Sequence, residues 1–313
     1  MKEKFGSTVH TAFNRRLTIA DGAKPIPASV AWLVIGGLFC VYFLASGWDN
    51  LLNLLNGVDK TVTLEQLPGR LTRDIGFAML AIVAYRLVRP SVSSTADLDA
   101  QPAKIRRRTV LIVAFAYLTI MLVGNTLGTQ VSALPIWDWA GILANDTGVA
   151  MKTAGAGSPL LTIGYAAMSL LAGINEEIAL VALPLILFRR AGVSLNLAVP
   201  VLIFMRMSFH IYHGLPIFLT MALWAGLALW LYLRTSTVLP LIIGHAFMDI
   251  GALVFPVFGP AGPGLFSFIL FGIAIATVVF LILGGLAHRR ARSDSGDGDR
   301  TVGSNAALQP PAV

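Results

Sequence analysis

The chain has 313 residues, 56% of them hydrophobic and only 12% charged, with a mean hydropathy of +0.76; soluble domains carry about 25% charged residues, so the composition excludes a water-soluble globule. The formal charge of +7 forms no base-reading motif. Its Lys and Arg residues gather at the ends of apolar runs, which excludes nucleic acid as a partner and reads as topogenic charge on cytoplasmic loops.

Residues 1–27 carry Lys2, Lys4, Arg15, Arg16 and Lys24 and read as a mobile cytoplasmic tail. Apolar runs of roughly 18 residues or more follow, the length that crosses a hydrocarbon core about 30 Å thick. The first, Ala28–Ser46, holds the chain's one cysteine, Cys40, which rules out an intrachain disulfide and a CxxC metal site. Its spanning length favours an uncleaved signal-anchor. Leu71–Val88 is a second, weaker span with Arg73 and Asp74 near its start. Residues 90–108, with Pro90, several serines and Arg106-Arg107-Arg108, read as a loop. Thr109–Leu127 is the third span, and 128–157 a long loop in which Trp137 and Trp139 suit the membrane interface.

Closely spaced runs then form the core: 158–188, about 196–213, Leu215–Leu233, about 237–256 and Gly264–Leu286. Residues from 289 onward are rich in Ser, Asp, Gly and Pro, a composition that predicts disorder. The reading is an all-α, polytopic helical membrane protein of about eight transmembrane helices with the catalytic core in the last five. Its parts are a tail over 1–27, an N-terminal transmembrane region over 28–157, the core over 158–288 and a disordered cytoplasmic tail over 289–313. Of the 23 Lys and Arg, only Lys60, Arg70, Arg73 and Lys152 fall on the outer side, and Arg206 lies within a span. That asymmetry predicts N-in and C-in.

Ionisable residues inside these runs mark the candidate site, because a charge at mid-bilayer depth costs several kcal/mol on insertion scales. Glu176 and Glu177 are adjacent in the first core run. Helical neighbours point about 100° apart, so one should face a cavity as a general base while the other is paired. The plainer alternative is a polar clamp between helices. Arg206 and His210 are four apart, and His213 follows three later, which stacks them on one helix face. The guanidinium needs a buried anion, for which Glu177 and Asp249 are the candidates. His245 and Asp249 are again four apart, a spacing that suits two metal ligands or two groups flanking one substrate atom.

Glu176-Glu177, Arg206-xxx-His210 and His245-xxx-Asp249, in that order on three of these runs, resemble the signatures of the CPBP intramembrane proteases. That family includes the type II CAAX prenyl endopeptidases and the bacteriocin-processing or immunity (Abi) proteins. The resemblance covers roughly residues 158–256. It implies that Glu176 activates the hydrolytic water with help from His210, while His245 and Asp249 stabilise the oxyanion. In a metalloprotease description, Glu176, His210, His245 and Asp249 bind a divalent metal such as zinc instead. It also implies a membrane-anchored or transmembrane peptide or protein as substrate, and a bacterial plasma membrane as location. Two positions depart from the family pattern. Val181 stands where an arginine is expected, leaving Arg206 as the partner for Glu177, and Asp249 stands where some members have asparagine. Two other functions fit a buried Glu/His/Asp set: a proton-coupled transporter, and a catalytically silent membrane scaffold or immunity protein. Against the transporter, the chain shows neither inverted repeats nor matched Gly/Pro-broken segments.

Overall fold

The computed structural model describes residues 17–44, 48–56, 63–94, 103–132, 134–136, 158–211, 215–250 and single positions between 272 and 282. The expected span at Gly264–Leu286, the interfacial Trp137 and Trp139, His213 and the C-terminal tail therefore lie outside the described elements. The helices are α1 (Ala28–Tyr42), α2 (Trp48–Leu55), α3 (Leu67–Val88), α4 (Ala103–Ser132), α5 (Pro159–Glu176), α6 (Leu183–Arg190), α7 (Leu195–Phe209), α8 (Leu215–Thr235) and α9 (Leu239–Ile250). The fold is all-α apart from a short ribbon. Among the described residues, two continuous helical stretches, 106–124 and 159–190, are long and apolar enough to cross a membrane.

Two boundaries move outward from the sequence reading. The second span starts at Leu67 and the third runs from Ala103 to Ser132, because arginines cost little in the first turns of a helix whose ends reach water. The N-terminal region changes more. Residues 17–27 are not a free tail: β1 (Leu17–Ile19) pairs antiparallel with β2 (Val92–Ser94), Leu17 opposite Ser94 and Ile19 opposite Val92. Arg190 Nη2 donates to the Lys24 carbonyl at 2.8 Å. Leu17 and Val92 are buried in the main apolar cluster. Burial of these two side chains, invisible in a polar-rich segment, ties the segment to the base of the core. Pro25 and Pro27 hold the chain extended up to the start of α1.

The helix that carries the glutamates is interrupted directly after Glu176. Residues Glu177–Ala182 form a π-turn, closed by the Leu183 amide donating to the Ile178 carbonyl five residues back. Pro184 follows one residue later. Proline offers no N–H and its ring crowds the carbonyl four residues before it, so widening the preceding turn removes that clash. Helix α6 ends in a left-handed Gly192 (φ +70°), with Val193 N–H donating to Phe188 O at 3.0 Å and Gly192 N–H to Arg189 O at 3.2 Å. That closure turns the chain back into α7.

Helix α9 packs against both α5 and α4, α8 packs against α4 and α7, and α3 lies along α5. Small residues allow the two α9 contacts. A Cβ at Gly173 would sit 2.8 Å from the Ile242 carbonyl, and one at Gly244 would sit 3.0 Å from the Ala114 carbonyl. Close backbone approach through glycine is the usual route to helix association where lipid provides no hydrophobic drive. Outward faces carry Leu33, Leu87, Leu160 and Ile163, all largely exposed. Such surfaces suit hydrocarbon and not water.

Candidate functional site

Glu177 enters the bundle from the first residue of the π-turn and is 0% exposed. Three donors converge on its Oε1: Tyr117 Oη at 2.6 Å, Arg206 Nη2 at 2.5 Å and His245 Nδ1 at 2.7 Å. Arg206 Nη1 reaches the other oxygen at 3.2 Å. A buried ion pair persists only when further hydrogen bonds satisfy its remaining lone pairs, and this carboxylate meets that condition from α4, α7 and α9 together. The contact with Glu177 calls for a proton on Nδ1 of His245, and Nε2 is the edge turned toward the Glu176 and Asp249 carboxylates.

Glu176 takes the other direction. Its side chain is 22% exposed, and its Oε2 lies 3.7 Å from Arg206 Nη2, 3.4 Å from His210 Nε2 and 3.9 Å from His245 Nε2. Asp249, the most open member with its side chain 37% exposed, has Oδ2 3.5 Å from His245 Nε2. The arrangement therefore has two layers. Glu177, Arg206, Tyr117 and the Nδ1 edge of His245 form a closed inner layer. Glu176, Asp249, His210 and the Nε2 edge of His245 form an outer layer in which the Glu176 and Asp249 side chains are partly exposed.

Six of the seven residues singled out from the sequence, Glu176, Glu177, Arg206, His210, His245 and Asp249, thus come together, and the seventh, His213, lies outside the described residues. One is placed differently. His210 does not continue the Arg206 face of a helix: α7 ends at Phe209, and His210 is its C-cap (φ −101°, ψ 11°), with its amide donating to Met207 O at 2.9 Å. Val181 is fully buried in the apolar cluster, and Arg206 supplies the guanidinium beside Glu177.

Two side chains that sequence reasoning passed over complete the site. Tyr117, in α4, donates to Glu177 and accepts from Arg206 Nη2 at 3.3 Å. Trp224, in α8, lies under the guanidinium, its ring centroid 4.1 Å from Arg206 Cζ. Its ring also meets those of His210 and His245 edge-on, at centroid distances of 5.4 Å and 5.8 Å. The available signal was a Tyr and a Trp in the middle of apolar runs, since each carries a polar group that must be accommodated once buried.

Residues 158–251 match the family model for the type II CAAX prenyl endopeptidase, Rce1-like. That segment is similar to the family. This segment spans α5 to α9 and contains every one of the six residues. Neither a curated protein nor a solved structure matches the chain. The match, together with the apolar outward faces, supports an integral membrane protein.

A metal on Glu176, His210, His245 and Asp249 meets two difficulties in this segment. Among the described residues, no group of three or more His, Cys, Asp or Glu side chains is arranged to hold a metal ion. Arg206 also sets a fixed positive charge 3.7 Å from the Glu176 oxygen that would have to bind the cation.

Proposed function

We propose that the chain is an intramembrane endopeptidase in which Glu176 is the general base for hydrolysis of a peptide bond in a membrane-anchored or transmembrane substrate. The observation that carries this reading is the division of the two glutamates: Glu177 is consumed by the inner layer, while Glu176, with a partly exposed side chain, sets its Oε2 3.4 Å from His210 Nε2 and 3.9 Å from His245 Nε2. Water hydrogen-bonded to Glu176 and His210 loses a proton to Glu176 as its oxygen attacks the scissile carbonyl carbon. The oxyanion so formed accepts a hydrogen bond from Nε2–H of His245, an imidazolium whose Nδ1–H bonds Glu177. Asp249, 3.5 Å from the same nitrogen, orients the ring. Collapse of the tetrahedral intermediate breaks the C–N bond, and the proton held by Glu176 passes to the leaving nitrogen.

The test is cleavage of quenched fluorescent peptides by the full chain in proteoliposomes, using a farnesylated CaaX peptide, other lipid-anchored peptides and a transmembrane peptide. Wild type cleaves one class, while Glu176→Gln and His210→Ala do not; equal turnover in all three removes the reading. Proton flux independent of peptide in the same vesicles assigns the site to a carrier instead. A zinc ion on Glu176, His210, His245 and Asp249 is the competing chemical scheme, and elemental analysis of active protein decides it: one equivalent per chain replaces the scheme above. We also place the chain in a bacterial plasma membrane with both ends inside, supported by its distribution of basic residues.

A further inference from the structure

We propose that Tyr117 and Trp224 are positioning residues that clamp Arg206 from two sides, and that through Arg206 they set both the His245 ring and the separation of the two glutamates. The proposal rests on the hydrolytic reading above and deepens it.

The geometry has a specific weakness that the clamp answers. Arg206 Nη2 lies 2.5 Å from Glu177 Oε1 but only 3.7 Å from Glu176 Oε2, so two carboxylates compete for one guanidinium nitrogen. If Arg206 swung to Glu176, the base would be neutralised and Glu177 would lose its charge partner. Tyr117 biases the competition: its hydroxyl donates to Glu177 Oε1 at 2.6 Å while accepting from Arg206 Nη2 at 3.3 Å, which closes a three-membered polar ring on the Glu177 side. Trp224 blocks movement along the other axis. Its face covers the guanidinium at 4.1 Å, and Arg206 Nε has no hydrogen-bond partner among the described residues, so the indole π-face holds that part of the group.

The two clamp residues are themselves rigidly seated. Trp224 is nearly fully buried, and a Cβ on Gly124 of α4 would come within 3.3 Å of its own Cβ, which shows how tightly α4 passes over it. Gly244 of α9 lies equally close to the Tyr117 ring, at 3.1 Å from a virtual Cβ to Cδ1. The clamp thus connects α4 and α8, which carry none of the six acidic, basic or imidazole groups, to the helices that do. The same Trp224 ring borders both His210 and His245, so it also fixes the gap between two histidines from different helices.

The test uses the full chain in proteoliposomes with the peptide class that wild type cleaves, together with thermal unfolding in detergent. Tyr117→Phe and Trp224→Leu lower kcat about tenfold with KM within about twofold of wild type, because positioning is lost and substrate contacts are not. Trp224→Phe, which keeps an aromatic face, recovers most of the loss. Unchanged kcat in Tyr117→Phe, or equal losses in Trp224→Leu and Trp224→Phe, overturns the proposal. A second measurement needs no turnover: in a double-mutant cycle of Tyr117→Phe with Glu177→Gln, the double variant unfolds no earlier than the less stable single. Additive loss overturns the clamp. If wild type cleaves nothing, the protease reading fails, and the cycle alone decides the clamp.

Discussion

Glu177 is a fully buried carboxylate that survives because hydrogen-bond donors from three helices reach it. Removing either partner of such a pair strands a charge, a loss of about 3–5 kcal/mol. Arg206→Ala and Glu177→Ala are therefore expected to lower the unfolding midpoint in detergent sharply and to similar extents. A stable, active Arg206→Ala beside an unstable Glu177→Ala would sink the pairing. Glu176 behaves differently, because it is partly open and bonded less tightly. Glu176→Gln keeps shape and removes the base, so peptide cleavage falls by about 10²–10⁴-fold, the usual range for a general base, with an unfolding midpoint close to wild type. At this scale the sequence named both glutamates and their candidate partner, since intramembrane charges stand out against an apolar background. It did not name Tyr117 or Trp224, because an aromatic residue in an apolar run gives no hint of which neighbour its polar edge or π-face will meet.

Between residues and bundle, backbone irregularities do the positioning. The π-turn at Glu177–Ala182 separates the two glutamates into different layers, and Pro184 explains why the turn forms there. The crossing of α9 over α5 depends on Gly173, where an added Cβ would meet the Ile242 carbonyl at 2.8 Å. Gly173→Val should push α9, with His245 and Asp249, away from the glutamates. The expected cost is about 1–3 kcal/mol of stability from overpacking and loss of most cleavage, measured by thermal unfolding and the peptide assay on the same preparation. Retention of full activity would show that α9 can shift without harm. Periodicity identified the helices but read 158–188 as one regular run and carried α7 past His210. A local pattern of apolar residues cannot register a widened turn or a helix that stops one residue before its functional histidine.

For the whole molecule, apolar side chains cover both the interior and the outward faces, so lipid is the second solvent of the fold. The basic asymmetry predicts that both ends face the cytoplasm. In a Cys40→Ser background, His10→Cys and Ser295→Cys should resist a membrane-impermeant thiol reagent until the cells are permeabilised, whereas Asn56→Cys should label at once. Labelling of His10→Cys in intact cells would reverse the orientation of the N-terminal half. The ribbon of Leu17–Ile19 with Val92–Ser94 joins two segments that look polar and independent in the chain, which is why the sequence read one as a tail and the other as a loop.

Composition and hydropathy alone determined that this chain is helical and lives in a membrane, because lipid forces backbone groups to pair within helices wherever an apolar run is long enough. The spacing of a few ionisable residues was enough to nominate the site. Only the tertiary structure decided which glutamate is buried and which is open, that His245 presents Nε2, and that Tyr117 and Trp224 belong to the site. Those choices depend on helix crossings through Gly173 and Gly244 and on the phase change at the π-turn. They are set by contacts between segments far apart in the chain, and a linear pattern carries no record of such contacts.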